Sequence, residues 1–302
     1  MERISSLPLL PPRPATGHKG TFGTVLIVGG SAGDVRMIGA PALAACGAAR
    51  AGAGLVQILA PAPIIDAVIG AALFAIGVAV PVASGDLMDP QAAVLSFDRN
   101  AATASSIVIG PGLGAGPAVS TLALRAITQD AVPVVIDADA INELATHPEI
   151  WKDLRAPAVL TPHPGEFVRL ERAVKSNSNG SIPATDDERE ERCAALAQRL
   201  GAVVVLKGAG TIVSDGTRVW RCDAGHPCLA TGGTGDVLAG VIGGLIAATG
   251  SPCDCFILAA IAVMAHARAG ETWARTRGAS AGMLATELAE LIPAELECLR
   301  QA

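Results

Sequence analysis

The chain has 302 residues, of which 51 % are hydrophobic, 17 % charged and only 3 % aromatic, with 34 glycines and a formal net charge of −6. That much apolar surface offsets the entropy of ordering and excludes a disordered chain. The acidic balance, without a basic run or aromatic-basic stripe, excludes a nucleic-acid surface. Residues 1–18 read as an N-terminal arm, because Pro8, Pro11, Pro12 and Pro14 prevent regular helix or inner strand. Residues 19–302 read as one domain, in which short β-branched runs alternate with Ala-rich stretches. Strands are predicted at 24–28, 55–59, 106–109, 132–136, 158–160 and 202–206, and helices at 41–51, 118–129, 166–174 and 187–200. Strand and helix in alternation imply an α/β fold, a mostly parallel central sheet with helices on both faces. The stretch 175–187, rich in Ser, Asn, Gly and Asp, reads as a mobile surface loop. Asp215-Gly216-Thr217 marks the turn of an antiparallel hairpin, 211–214 with 218–222. Three successive helices are predicted after it, at 236–248, 255–269 and 280–291.

The mean hydropathy of +0.47 raises the question of a membrane. The apolar stretches 67–83, 237–248 and 256–265 are interrupted or bounded by Gly70, Gly77, Pro81, Gly250, Pro252 and Asp254. Each falls short of the roughly 18–20 uninterrupted residues that a spanning helix needs. With no basic-then-apolar signal at the start, the expected location is the cytoplasm, with no membrane partner. Seven scattered cysteines, Cys253 and Cys255 included, suit reduced thiols better than a zinc site or a disulfide framework.

Five predicted strand ends carry the residues that bear chemistry. The most informative is Thr231-Gly232-Gly233-Thr234-Gly235-Asp236, leading into an apolar helix. Glycines there let an anion approach the first helical N–H groups, where the helix dipole favours negative charge, and Asp236 stands at the same spot. The plainer alternative is a glycine turn with Asp236 as a helix cap. Leu206-Lys207-Gly208-Ala209-Gly210-Thr211 lies at a strand end, where open α/β sheets place ligands, with Lys207 near the phosphates. An ordinary turn with an exposed lysine would look the same. Thr161-Pro162-His163-Pro164-Gly165-Glu166 holds His163 between two prolines. Val108 to Gly114 is a Gly-rich strand-to-helix turn. Asp137-Ala138-Asp139 offers acid-base groups, hydrogen-bonding partners for a ribose, or magnesium contacts through water, and Asp137 alone could be a buried turn former. The glycines-then-Lys-Ser/Thr phosphate loop is absent.

These segments, with Lys19-Gly20-Thr21-Phe22-Gly23, Val28-Gly29-Gly30-Ser31, Gly39-Ala40, His266, Ala269-Gly270, Gly282-Met283 and Ile292-Pro293, occur in a familiar order. From Lys19 to Pro293 the chain resembles the ADP/ATP-dependent NAD(P)H-hydrate dehydratases, the C-terminal half of the YjeF-type repair proteins. The resemblance implies a ribokinase-like fold and a carbon–oxygen lyase that returns the S-epimer of hydrated NADH or NADPH to the intact dinucleotide. It also implies ADP or ATP as phosphoryl donor, Mg²⁺, a homo-oligomer such as a tetramer, and a separate NAD(P)H-hydrate epimerase in the same pathway. Carried over, Ala40, Gly114, His163 and Asp236 would contact the hydrated dinucleotide. Lys207, Gly208, Ala209, Gly210, Thr211 and Gly235 would contact the adenine nucleotide. Asp236 would be the catalytic base, and the N–H groups of Gly233, Thr234 and Gly235 would form the anion hole. Arg36-Met37-Ile38 stand where many relatives carry an aromatic, and 175–187 is longer than the usual connection. A small-molecule kinase of the same fold, acting on a hydroxymethylpyrimidine, thiazole or pyridoxal alcohol, shares the Gly-Thr-Gly-Asp logic. A nucleotide-binding regulator without turnover would need Asp236 to be dispensable.

Overall fold

A computed structural model describes residues 1–83, 85, 87–174 and 180–301. Residues 175–179 of the predicted surface loop lie outside the described residues. The strands are β1 (Glu2–Arg3), β2 (Thr24–Val28), β3 (Leu55–Pro61), β4 (Ile76–Val80), β5 (Ser106–Ile109), β6 (Val134–Ile136), β7 (Ala158–Leu160), β8 (Val203–Leu206), β9 (Ile212–Ser214) and β10 (Arg218–Arg221). They form one sheet in the order β1-β10-β9-β8-β7-β6-β5-β2-β3-β4. From β8 to β4 every pairing is parallel, while β9 runs antiparallel to both β8 and β10. Helices are α1 (Gly39–Arg50), α2 (Ile65–Ala71), α3 (Pro90–Ala101), α4 (Pro117–Thr128), α5 (Ala138–Leu144), α6 (Pro164–Val174), α7 (Asp186–Leu200), α8 (Thr234–Thr249), α9 (Cys255–Arg277) and α10 (Ala285–Gln301).

Side chains alternate along each strand, so the sheet feeds two cores. Val25, Ile27, Ile58, Val108, Val135 and Val205 pack with α1, α8, α9 and α10 on one face. Leu26, Val28, Ile107, Ile109, Ile136 and Leu206 pack with α3 to α7 on the other. Helices cover both faces, as predicted. Because the parallel strands all point the same way, the turns after β2, β5, β6, β7 and β8 meet at one edge.

Several elements differ from expectation for identifiable reasons. Strand β6 starts at Val134, because Pro133 has no N–H to give the ladder. Strand β4 and most of helix α2 were hidden in the apolar stretch 67–83, which has no readable period. Helix α3 opens with Asp89 accepting the Ala92 N–H at 2.8 Å, with proline next. Helix α9 corrects the membrane reading: it runs 23 residues, long and apolar enough to cross a bilayer by length and composition. It is a core helix here, with 67 % of its most apolar window buried inside the fold. Helix α10 starts later than predicted, where Glu287 accepts the Leu284 N–H, and continues through Pro293. Buried Leu288, Ile292 and Leu296, four residues apart, hold it together beyond the proline.

Helices α1 and α8 touch backbone to backbone. A Cβ at Gly240 would stand 1.9 Å from the Ala44 carbonyl oxygen, and one at Gly47 would stand 2.2 Å from that of Val237. This contact anchors the helix whose first turn carries Asp236. Gly240→Ala is therefore expected to lower stability by about 1–3 kcal/mol through overpacking, despite alanine's better helix propensity. Urea denaturation reads this directly; a variant as stable as the parent would contradict the contact.

Candidate active site

Asp137 follows β6 at the common edge and is 1 % exposed. Its Oδ1 accepts the Thr161 hydroxyl at 2.7 Å and the Lys207 ammonium at 2.8 Å, so the ends of β6, β7 and β8 are joined by one carboxylate. Strand β5 comes close as well. Gly110 has φ +121, and a Cβ there would fall 1.8 Å from the Asp137 carbonyl oxygen. The next residue, Ala138, is the one non-glycine at positive φ among the described residues (+46), a strain of about 1–3 kcal/mol of the kind stored at functional sites. It swings Asp139 toward β5, where Oδ2 accepts the Gly114 N–H at 2.8 Å. Burial raises the Asp139 pKa above the ordinary carboxylate range.

The first turn of α8 completes the site. Gly233 is its N-cap at φ +90, with no side-chain cap, so Asp236 in the third helical position is not a capping residue. Among the described residues the N–H groups of Gly233, Gly235 and Asp236 donate to no backbone acceptor, while that of Thr234 lies 3.4 Å from Thr231 O. Free N–H groups at the positive end of a 16-residue helix can hold an anion. Asp236 has no hydrogen bond or ion pair among the described residues. Burial, followed by the charge of Asp137, pushes its pKa up to about 7, against the downward pull of Lys207. A carboxyl near neutrality and without a hydrogen-bonding partner can take up and release a proton readily.

Lys207 sits beneath this turn. A Cβ at Gly235 would stand 3.5 Å from its Nζ. Burial alone would lower its pKa, but Asp137, Glu166 and Asp236 outweigh that and raise it, so the ammonium stays charged. Its side chain is thus turned to the carboxylates, and its N–H is used by Pro162 O at 2.9 Å. The rest of the loop, with Gly208 at φ +141 and Gly210 at φ +61, leads away toward β9, and the Thr211 hydroxyl donates to Gly208 O. Ala40 lies on α1 against the β5 turn, 3.0 Å from where a Gly112 Cβ would be. A cavity of about 200 Å³ runs along that turn past Ser31, Val35, Leu113, Gly114 and Pro117.

His163 has a double role in the geometry. Its Nδ1 accepts the Gly165 N–H at 3.0 Å, and its own N–H donates to Glu166 Oε2 at 2.8 Å, a reciprocal cap on α6. Its Nε2 lies 3.3 Å from Glu166 Oε1, and the side chain is 51 % exposed. Burial first, then the nearby cations Lys207 and Arg169, lower its pKa and keep it neutral. Buried Glu166 is pushed up by desolvation. His266, on α9, was noted in the sequence only for its place in the tail. Burial pushes its pKa down to about 4, and its Nε2–H donates to Thr234 O at 2.9 Å, steadying the glycine turn from behind.

Among the described residues no three His, Cys, Asp or Glu side chains gather as a protein cage for magnesium would require. Asp137 and Asp139 are already engaged by Lys207 and Gly114. The described residues do not build a metal site of their own.

Residues 25–294 match the NAD(P)H-hydrate dehydratase family. The chain belongs to that family. It is 37 % identical over 281 residues to the ADP-dependent (S)-NAD(P)H-hydrate dehydratase of Neisseria meningitidis, covering 92 % of this chain and 86 % of that one. It is also 37 % identical over 299 residues to the bifunctional NAD(P)H-hydrate repair enzyme of Moorella thermoacetica, covering 97 % of this chain and 52 % of the relative. The chain spans about half the length of such bifunctional relatives. The crystal structure of the Bacillus subtilis ADP/ATP-dependent NAD(P)H-hydrate dehydratase superimposes with a TM-score of 0.77 at 29 % identity, over 98 % of this chain and 100 % of that one. A ribokinase-like superfamily protein of Enterococcus faecalis superimposes at 0.75 with 25 % identity, over 97 % and 93 % of the two chains. The dehydratase family membership and the ribokinase-like α/β fold agree with the sequence reading.

Proposed function

We propose that the chain dehydrates the S-epimer of hydrated NADH and NADPH, driven by phosphoryl transfer from ADP or ATP. The observation that carries this is Asp236: an unpartnered carboxyl near neutrality, one step from free N–H groups at a helix N-terminus. In this reading Asp236 takes the proton from the hydroxyl on the hydrated ring, and that oxygen attacks the terminal phosphorus of the nucleotide. The bridging P–O bond breaks, and AMP or ADP leaves. The N–H groups of Gly233, Thr234 and Gly235 receive the charge of the transferring group, with the Lys207 ammonium beneath them. The ring nitrogen then expels the phosphate, the neighbouring carbon gives up a proton, and the dihydropyridine double bond is restored. Ala40, Gly114 and His163 hold the dinucleotide; the backbone of Lys207, Gly208, Ala209, Gly210 and Thr211, with Gly235, holds the adenine nucleotide. Mg²⁺ would arrive on the nucleotide phosphates and supply charge neutralisation there. A separate epimerase would convert the R form into this substrate.

The direct test mixes purified protein with hydrated NADH and either ADP or ATP. Recovery of the dihydronicotinamide absorbance only when nucleotide is present is expected; no recovery with either donor would refute the reading.

His163 is tested by replacing the ring while keeping the cap. His163→Asn leaves a favoured N-cap residue, so the melting temperature is expected to stay near the parent's. The KM for hydrated NADH should rise and that for ADP should stay nearly unchanged. An Asn variant with parental KM values would reduce His163 to a helix cap.

A further inference from the structure

The Lys207 side chain turns away from the 208–211 loop, yet another cation lies against that loop. Arg189, on α7, has a side chain only 13 % exposed. Its Nη1 donates to Ala209 O at 2.6 Å. A Cβ at Gly208 would stand 3.1 Å from its Nη2, and one at Gly210 would stand 3.7 Å from Nη1. The guanidinium therefore lies along the loop, and the two glycines leave room for it as well as supplying their positive φ. Asp186 holds Arg189 from the other side, 3.5 Å away, and also pairs with Arg221, whose Cδ would meet a Gly210 Cβ at 3.8 Å. Meanwhile the N–H groups of Gly208, Ala209 and Gly210 donate to no backbone acceptor among the described residues.

We propose that Arg189 is a positioning residue for nucleotide binding: by gripping the Ala209 carbonyl from the α7 side, it holds the 208–211 loop in the shape that keeps its N–H groups free for the adenine nucleotide. The proposal rests on the reading that this loop binds the nucleotide. A guanidinium suits the task because its planar fork covers the loop and reaches Ala209 and Asp186 together, which an ammonium cannot match. The contact is made to the backbone, so its loss acts through the loop and not through the charge of the phosphates.

Calorimetry with ADP on the full chain tests this without turnover. Arg189→Met, which keeps much of the apolar stem, is expected to raise the ADP Kd by about tenfold or more, the usual worth of a hydrogen bond from a charged donor. Arg189→Lys, which keeps the charge and one donor, should show a smaller loss and guards against a variant that fails to fold. Adenosine, measured by competition, should weaken by the same factor as ADP. At saturating ADP, kcat and the KM for hydrated NADH should stay at parental values. A parental ADP Kd in both variants overturns the proposal, and so does a loss confined to ADP with adenosine spared, which would mean direct phosphate contact. If the parent itself fails to bind ADP, the nucleotide reading of the loop falls, and the proposal with it.

Discussion

Asp236→Asn is expected to lower kcat by about 10²–10⁴, the usual contribution of a placed general base. The substitution is nearly isosteric and leaves the free N–H groups of the α8 turn in place, so ADP binding should survive. The carboxylate is the active form, so for the parent kcat/KM should rise with pH through about 7 and level off above it. The same group predicts an opposite effect on stability. Its folded pKa of about 7 lies above the ordinary 3.8, so between those values the folded state holds a proton that the unfolded chain has lost. Stability therefore falls as pH rises across that window and stays reduced above it. Asp236→Asn lacks this penalty and is expected to melt higher than the parent at alkaline pH. An inactive variant that is more stable cannot be explained by misfolding. Turnover within a few fold of the parent would remove Asp236 from the chemistry.

Lys207→Met is expected to give the largest loss of stability in the site. It leaves Asp137, 1 % exposed, with only the Thr161 hydroxyl for a partner. Removing one member of a buried ion pair costs about 3–5 kcal/mol, because the remaining charge stays desolvated and uncompensated. Asp137→Asn on top of Lys207→Met removes that charge, so the double variant should be more stable than Lys207→Met alone. Denaturation midpoints of the parent, both single variants and the double variant close this cycle. Activity should be low in every variant that lacks the lysine, since the cation beneath the glycine turn is gone. A Lys207→Met protein with parental stability would contradict the pairing.

The central strands were legible in the sequence because a parallel sheet buried on both faces needs continuous β-branched and aliphatic runs, and β2, β5 and β7 are such runs. The place of Gly233 and Asp236 at the start of α8 was legible for a local reason, since a glycine run before a long apolar stretch marks a helix start. The direction of the Lys207 side chain was not legible. It depends on where Asp137 stands, 70 residues earlier, and on Gly110 letting two strand ends approach. The left-handed Ala138 was hidden too, because nothing about alanine announces a strained dihedral. Arg189 reads in sequence as one more charge on an acidic, solvated helix. Only the packing of α7 beside the β8–β9 turn puts it on the 208–211 loop. The length of α9 and the passage of α10 through Pro293 were missed because burial against neighbouring helices outweighs local breakers.

The proposed reaction makes a demand on products that no simple kinase or binding protein meets. Hydrated NADH and ADP are incubated with the protein, and the mixture is followed by phosphorus NMR together with the dihydronicotinamide absorbance. AMP, orthophosphate and NADH are expected to appear in equal amounts, with no phosphorylated dinucleotide persisting. Contradiction would be NADH recovered while ADP stays intact, or a phosphate ester that accumulates as the final product.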